Sequence, residues 1–301
     1  MSEAPWLSPE YDIIADIRDN INGLRKRRAK VSKTIAIVSG GLDSTTMIYH
    51  LMHEGYDVDL VSFDYGQRHK KELRYAAAIA RQLGLFHDIV DLTGLTHLIS
   101  NSALTSPFVD DTEPFDADLV DYKRDIEVPD GHYAEETMKA TVVPNRNMIM
   151  LSIAAGIAVN RGASSIATAV HAGDHFIYPD CRPTFIDSCS RTIAKGNEGF
   201  SSFKQDPSGT YDEPVIAPFI MWSKADIVYR AMELNVPLHL TWSCYKGSEN
   251  HCGRCGTCVE RLEAIDEAVR RHISNNTEHY YEDQTTYDDK EFWRTAVKEA
   301  K

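Results

Sequence analysis

One short segment, residues 39–46, combines two adjacent glycines with several hydroxyl side chains. Adjacent glycines let the backbone approach a bulky anion without a side-chain clash. An apolar run precedes the segment and a helical pattern follows it, and the amino end of a helix offers free N–H groups and a positive dipole to phosphate. We therefore predict a phosphate-binding loop in which Asp43 either holds Mg²⁺ or orders the loop.

Two familiar phosphate motifs are absent from this loop. It lacks the Gly-Lys-Ser/Thr ending of a Walker loop, and it shows no Gly-x-Gly-x-x-Gly dinucleotide fingerprint. A glycine-rich turn before a capped helix, without any ligand, is the structural alternative to a binding loop.

A second cluster of reactive side chains consists of Cys244, Cys252, Cys255 and Cys258, at spacings of eight, three and three residues. Four thiolates complete the tetrahedral shell of Zn²⁺ and leave no position for water, so we predict a structural zinc site. The alternatives are four free buried thiols or a redox Cys-x-x-Cys pair. His251 adjoins Cys252, and as a ligand it would strain the chelate.

Composition limits the partners and the location of the chain. It has 301 residues and a net charge of −13, which disfavours a surface that binds nucleic acid or anionic lipid. No run of about 18 apolar residues predicts a membrane span. Residues 1–10 lack the apolar core of a signal peptide, and the clustered cysteines favour a metal site over disulfides. We therefore expect a cytoplasmic protein.

The loop and the cysteines are set in an alternating pattern of strands and helices. The predicted strands lie at 34–38, 58–63, 86–90, 165–170 and 214–220, and the predicted helices at 42–54, 71–83, 148–160, 183–195, 224–234 and 259–271. Strands that alternate with helices in this way favour an α/β fold with a doubly wound parallel sheet. Residues 100–142 interrupt the pattern with a long acidic stretch.

The loop and four further motifs, which occur in a fixed order, resemble a known family. The segment Ser39-Gly-Gly-Leu-Asp-Ser44 resembles the pyrophosphate loop of the N-type ATP pyrophosphatase superfamily, whose fold is adenine nucleotide alpha hydrolase-like. The other motifs are residues 62–69, 143–147, 178–183 and the cysteine cluster. Together they are similar to the 7-cyano-7-deazaguanine synthase family, the nitrile-forming enzymes of the queuosine pathway, over about residues 33–272. Asn145 departs from the family pattern, in which many members carry glycine.

This resemblance implies an ATP-dependent ligase. Members convert 7-carboxy-7-deazaguanine and ammonia to 7-cyano-7-deazaguanine (preQ0) through an adenylated carboxylate and an adenylated amide. The resemblance further implies ATP, Mg²⁺ and one structural Zn²⁺ per chain, a homodimer, and no direct contact with nucleic acid or membrane. It divides the chain into an N-terminal extension at 1–32, an ATP pyrophosphatase domain at 33–240, a four-cysteine zinc element with a C-terminal helix at 241–275 and a polar tail at 276–301.

The resemblance also implies roles for individual residues. The residues that it places at the nucleotide are Val38, Ser39, Gly40, Gly41, Leu42, Asp43, Ser44, Thr45, Thr46, Met47 and Ile48. Catalysis is assigned to Asp43, Ser44, Arg68 and Arg146. Substrate binding is assigned to Asp64, Tyr65, Gln67, Arg68, Asn147, Asp180, Arg182 and Lys195, because ligands bind beyond the carboxyl ends of parallel strands.

Three alternatives remain open from the sequence. A variant of the family stops at 7-amido-7-deazaguanine, and the sequence does not separate one activation from two. A tRNA-modifying enzyme of the same superfamily would require a basic face and a sulfur-carrying cysteine, whereas we interpret Cys181 and Cys189 as packing residues. A non-catalytic nucleotide-binding regulator would have little need for a carboxylate at Asp43.

Overall fold

The computed structural model describes residues 32–67, 70–98, 102–105, 127–134, 138–200, 202–203, 214–274 and 282–299. Predictions that concern Arg68, the N-terminal extension and most of the acidic stretch fall outside these described residues.

A parallel sheet of five strands, in the order β3-β2-β1-β4-β5, forms the centre of the described structure. The elements are β1 (Lys33–Ile37), α1 (Leu42–His53), β2 (Asp57–Asp64), α2 (Lys71–Leu83), β3 (His87–Asp91), α3 (Arg146–Arg161), β4 (Ser165–Ala167), α4 (Pro183–Gly196), β5 (Val215–Ile216), α5 (Lys224–Glu233), α6 (Gly256–Ser274) and α7 (Phe292–Glu299). The predicted doubly wound α/β fold is confirmed. The strand order reverses between β1 and β4, which is where such folds bind their ligands.

Helices cover both faces of the sheet. In β1, Ala36 faces a core formed with α1, α2, α5 and α6, whereas Ile35 faces a core formed with α3 and α4. Both side chains are fully buried, as expected for a strand that is apolar on both faces. Helix α2 has the predicted bounds, and Gly84 ends it at a φ of 63°.

Two strands are shorter than predicted. β4 ends at Ala167 instead of residue 170, and β5 ends at Ile216 instead of residue 220. Beyond β5 the backbone turns, because Ile220 N donates to Ala217 O and Trp222 N donates to Phe219 O. These local bonds occupy the groups that a longer strand would need for pairing.

The segment named as a polar tail, 276–301, contains a helix in its described part. Residues 292–299 form α7, in which Ala296 and Val297 pack against Val259 of α6. Its sequence signal is a short amphipathic repeat in an otherwise polar segment. The predicted domain division stays a prediction.

One segment of the described chain, Lys139–Arg161, is long and apolar enough to cross a membrane by length and composition alone. Its α3 part packs against β1 and β4, with Leu151 and Ala154 buried. A core helix of this kind is weak evidence for a membrane span. The absence of a membrane role stays a prediction.

Candidate active site

The glycine-rich loop connects β1 to α1 and has a backbone that requires glycine at position 40. Gly40 has a φ of 85°, and an added Cβ would lie 2.2 Å from Glu72 O. The loop hydroxyls are bonded within the loop itself, since Ser39 N donates to Ser44 Oγ at 3.2 Å and Gly41 N donates to Ser39 Oγ at 3.2 Å. The loop is therefore held open beside the first turn of α2.

A cavity of about 220 Å³ lies beside this loop, at the carboxyl ends of β1, β2 and β4. Eight of the predicted site residues line it: Val38, Ser39, Asp43, Ser44, Tyr65, Gln67, Arg146 and Asn147. Aromatic and apolar side chains such as Phe63, Val170 and Tyr245 form the remaining walls. The cavity therefore combines an anion-binding loop with walls that suit a flat ring.

Asp43 belongs to a buried ion cluster that joins three distant parts of the chain. Lys224 Nζ, at the start of α5, donates to Asp43 Oδ2 at 2.6 Å and lies 3.3 Å from Glu260 Oε2 on α6. Burial raises the pKa of Asp43, but Lys224, His171 and Arg261 together outweigh burial and the pKa is lowered overall. Burial likewise opposes the charge of Lys224, whose pKa Asp43 and Glu260 nevertheless raise. All three side chains lie on packed helices. We call Asp43, Lys224 and Glu260 the loop cluster.

The second oxygen of Asp43 finds no partner in the described part of the chain. Asp43 Oδ1 is buried and accepts no hydrogen bond from any described residue. Mg²⁺ is held in proteins by one or two carboxylates together with substrate phosphates, so this oxygen fits a magnesium ligand. The described residues give no group of three such ligands here, and the phosphates would have to complete the shell.

His171 borders the loop cluster, with a hydrogen bond at one ring nitrogen and two carboxylates near the other. Its Nδ1 accepts a hydrogen bond from Gly173 N at 3.1 Å, so its Nε2 carries the proton. Nε2 lies 3.5 Å from Asp174 Oδ2 and 3.9 Å from Asp43 Oδ2. Asp174 also accepts a hydrogen bond from Tyr133 OH at 2.8 Å. His171 is thus a hydrogen-bonded histidine that lies beside two carboxylates.

Opposite the loop, the first residues of α3 present a cation to the cavity. Asn145 precedes the helix with a φ of 59°, a conformation that asparagine tolerates better than most residues. Arg146 Nη1 donates to Tyr65 OH at 3.4 Å. Asn147 N donates to Asp180 Oδ2 at 3.1 Å, so Asp180 satisfies the helix start instead of facing the cavity.

Glu72, in the first turn of α2, also lines the cavity and was not predicted. Burial raises the pKa of its carboxyl to about 7, although Arg146 acts in the opposite direction. No hydrogen bond links this carboxylate to a described residue. A strongly shifted acid in a cleft is a candidate for chemistry.

The four predicted zinc ligands come together behind the loop. Their sulfur atoms all lie within 4.8 Å of one another, and all four side chains are buried. Tetrahedral Zn²⁺ would place sulfurs roughly 3.8 Å apart, and Cys252 Sγ lies 3.9 Å from Cys258 Sγ. Backbone N–H groups of Cys252 and Cys255 also donate to cluster sulfurs. The cluster therefore fits a zinc element, as the sequence predicted.

His251 is excluded as a zinc ligand by its other contacts. Its Nε2 accepts a hydrogen bond from Ser243 N at 3.1 Å, and its ring packs against the Trp242 ring with 4.4 Å between the ring centroids. Trp242 in turn donates from its backbone N to Gly40 O at 2.9 Å. The four-cysteine element thus supports the glycine-rich loop from behind.

Comparisons with known proteins agree with this arrangement. The family model described as "Queuosine biosynthesis protein QueC" matches residues 33–269. The chain belongs to the QueC family. Relatives named 7-cyano-7-deazaguanine synthase share 48% identity over 88% of this chain, and the match covers 96% of the Rhizobium rhizogenes protein and 97% of the Brucella anthropi protein. The predicted family is confirmed, and its members are enzymes.

Similarity to solved structures is lower. An NH3-dependent NAD synthetase from Campylobacter jejuni has a TM-score of 0.36 and 12% identity, with 96% of this chain and 93% of that chain covered. These values are too low to support an argument about function.

Several predicted site residues do not reach the cavity. Asp64 binds Lys70 Nζ at 2.8 Å, Arg182 Nε donates to His175 O at 2.7 Å, and Lys195 is exposed on α4. Met47 and Ile48 lie in the hydrophobic core beneath the loop. Their functional roles, and that of Arg68, stay predictions.

Three residues of the site were missed by sequence analysis: Glu72, Lys224 and Glu260. Lys224 was visible only as the first residue of a capped helix, which Ser223 and Asp226 indeed cap reciprocally. Nothing local links these positions to the loop, since Lys224 and Asp43 lie 181 residues apart.

Proposed function

We propose that the chain converts 7-carboxy-7-deazaguanine and ammonia to 7-cyano-7-deazaguanine, with cleavage of ATP to AMP and pyrophosphate. The observation that carries the proposal is the cavity between the glycine-rich loop and Arg146, in a chain of the QueC family. The relatives' names supply the product, and the loop supplies a place for phosphate.

The chemistry explains why ATP is required. A carboxylate does not react with ammonia at neutral pH, because its oxygen is a poor leaving group. Transfer of AMP to the carboxylate creates a good leaving group, and ammonia then displaces AMP to give an amide. A second AMP transfer, to the amide oxygen, permits elimination to the nitrile. Both steps develop negative charge on phosphate oxygens, so positioning and electrostatics should dominate catalysis.

Residues of the loop and the loop cluster provide that electrostatic environment. Backbone N–H groups at the start of α1, with Ser39 and Ser44, would bind the phosphates. Lys224 holds Asp43, which lines the cavity, through Oδ2 and leaves Oδ1 without a described partner. Mg²⁺ bound there would neutralise phosphate charge.

The opposite wall suits the second substrate. Arg146 is a half-buried cation whose hydrogen bond to Tyr65 is long, so it is available to pair with the substrate carboxylate. Tyr65, Phe63 and Tyr245 offer flat surfaces for the heterocycle. Asp180 and Arg182 would act on the ring only indirectly, since neither lines this cavity.

The zinc site would be structural. Four sulfur ligands leave no open coordination position, so the ion would stabilise the loop's support and take no part in the reaction. We further propose a cytoplasmic homodimer that binds neither nucleic acid nor membrane. The net charge of −13 agrees with the absence of nucleic acid.

A sulfur-transferring enzyme of the same superfamily is less well supported. Burial raises the pKa of the Cys181 thiol, and Asn147 Nδ2 lies 3.3 Å from its sulfur. A thiol held in its neutral form is a poor sulfur carrier at neutral pH.

The experiment is incubation of the protein with 7-carboxy-7-deazaguanine, ammonium and Mg-ATP, followed by mass spectrometry. We expect the nitrile together with AMP. Amide as the final product would support the variant that stops after one activation. ADP without AMP would contradict the proposed chemistry at the α-phosphate.

A further inference from the structure

The proposed reaction requires a proton acceptor inside the cavity. When ammonia adds to the activated carboxyl carbon, the new C–N bond leaves a positively charged nitrogen that must lose a proton. Elimination to the nitrile removes the remaining N–H protons. A base with a pKa near the working pH serves such a step best. The inference below therefore rests on the proposed function.

Most titratable groups that line the cavity are unsuited to this task. Asp43 is held by Lys224 and has a lowered pKa, which makes it a weak base. Asp174 already accepts a hydrogen bond from Tyr133 and faces His171. Burial raises the pKa values of Tyr65, Tyr245 and Cys181, so these groups are protonated at neutral pH.

Glu72 differs from these groups in both position and bonding. It lies in the first turn of α2, whose backbone approaches Gly40 so closely that only glycine fits there. Its side chain therefore enters the cavity between the phosphate loop and Arg146. No described residue forms a hydrogen bond with its carboxylate, in contrast to Asp43 and Asp174. Both oxygens remain available to a ligand.

We propose that Glu72 is the general base that removes N–H protons in both halves of the reaction. In the first half, a proton passes from the added nitrogen to a Glu72 oxygen, and the C–O bond to AMP breaks with its electron pair on AMP. In the second half, the two N–H protons of the adenylated amide pass to Glu72 in turn, the C–O bond to the second AMP breaks with its electron pair on AMP, and the nitrile forms. Glu72 releases each proton to water, so no oxidant or reductant is needed.

The surroundings of Glu72 determine the pH at which it works. Burial raises its pKa to about 7, and Arg146 is the described cation that opposes this effect. Tyr65 and Tyr245, which face it across the cavity, remain neutral. Glu72 is therefore protonated and inactive as a base below about pH 7, and amide formation should fall as the pH falls through that value.

The test compares the wild type with Glu72→Gln, Glu72→Asp and the exposed control Glu198→Gln. Substrate-dependent exchange of pyrophosphate into ATP, measured without ammonia, reports activation alone. We expect Glu72→Gln to retain this exchange but to lose ammonia-dependent amide formation by about 100-fold or more. At a constant concentration of unprotonated ammonia, the acidic limb of the pH profile should disappear in Glu72→Gln and persist in Glu72→Asp and Glu198→Gln.

Hydroxylamine provides a rescue, because it is largely unprotonated at neutral pH and its adduct depends less on a base. We expect it to restore product formation in Glu72→Gln. A parallel loss of exchange in that variant would show that Glu72 binds substrate or assists activation, and would overturn the proposal. An unchanged rate or an intact acidic limb would overturn it as well. If the wild type shows no exchange, the proposed function itself fails.

Discussion

Two adjacent residues of α6, Glu260 and Arg261, enter two buried charged clusters of opposite character. Glu260 joins the loop cluster with Lys224 and Asp43. Arg261 is fully buried and joins α6 to the segment before α7. We use the name clasp for Arg261 together with the residues that accept its hydrogen bonds. Its hydrogen-bond partners are Tyr287 OH, Thr241 Oγ1, Ser243 Oγ, Leu238 O and Thr285 Oγ1.

The two clusters differ in whether their polar groups are satisfied. A guanidinium has five N–H donors, and the clasp provides a partner for each of them. The loop cluster leaves Asp43 Oδ1 buried without a described partner, and the nearby Glu72 also has no hydrogen bond from a described residue. Unsatisfied buried charge is costly unless a ligand completes it. We therefore infer that the saturated cluster is structural and propose that the unsatisfied one marks the reaction site.

The largest expected effect is on zinc binding and on the free energy of unfolding. Cys255→Ser removes one ligand of the four-cysteine cluster and should abolish stable zinc binding and much of the folding free energy. Structural zinc contributes on the order of 10 kcal/mol in small zinc domains. Metal analysis and urea unfolding measure both quantities. Cys189→Ser, a buried cysteine outside the cluster, should keep its zinc. A wild-type content below about 0.5 Zn per chain would contradict the assignment.

Removal of Arg261, the cation of the clasp, should lower the free energy of unfolding by a smaller amount. Arg261→Ala leaves Asp283 and several hydroxyls buried without their partner, and such losses amount to about 3–5 kcal/mol in the free energy of unfolding. Urea denaturation provides the measurement. Arg270→Ala, an exposed arginine on the same helix, is the matched control and should change stability little. Equal effects of the two substitutions would remove the structural role of the clasp.

The third effect falls on activity instead of stability. Asp43→Asn keeps the shape of the side chain but removes the charge of a carboxylate that lines the cavity. We expect AMP formation to fall about 100- to 1,000-fold, as when a preorganised electrostatic group is lost. The unfolding free energy should change less than in Arg261→Ala. The control is Asp187→Asn, on the exposed face of α4. Retained activity in Asp43→Asn would exclude this carboxylate from the reaction.

The smallest effect is a gain in stability. The pKa of Glu72 is raised from 4.5 to about 7, so the folded state binds more protons than the unfolded state between these values. Stability therefore falls as the pH rises through this window, and the full cost is present above it. Glu72→Gln should be more stable than the wild type by up to about 3 kcal/mol near pH 8, and equal to it near pH 4. Thermal unfolding at both pH values tests this, and a less stable variant near pH 8 would contradict the burial of Glu72.

The sequence predicted the parts of the site that are local. The glycine-rich loop and the four-cysteine cluster are each formed by residues close in the chain, so spacing alone revealed their chemistry. The α/β fold followed because each buried strand and amphipathic helix carries its own periodicity.

The remaining parts depend on tertiary contacts. Lys224 meets Asp43 across 181 residues, and Arg261 meets Tyr287 across 26 residues. Neither pair has a local signal. Glu72 resembles any acidic residue in the first turn of a helix until the fold brings its side chain into the cavity. The end of β5 was misplaced because local turns compete with strand pairing there.

The most direct test of the central claim uses substrate labelled with oxygen-18 in both carboxylate oxygens. If the cavity transfers AMP first to the carboxylate and then to the amide oxygen, each molecule of AMP takes one labelled oxygen from the substrate. Mass spectrometry should then show two labelled AMP molecules for every nitrile formed. Unlabelled AMP, or ADP in its place, would contradict activation of the substrate at this site.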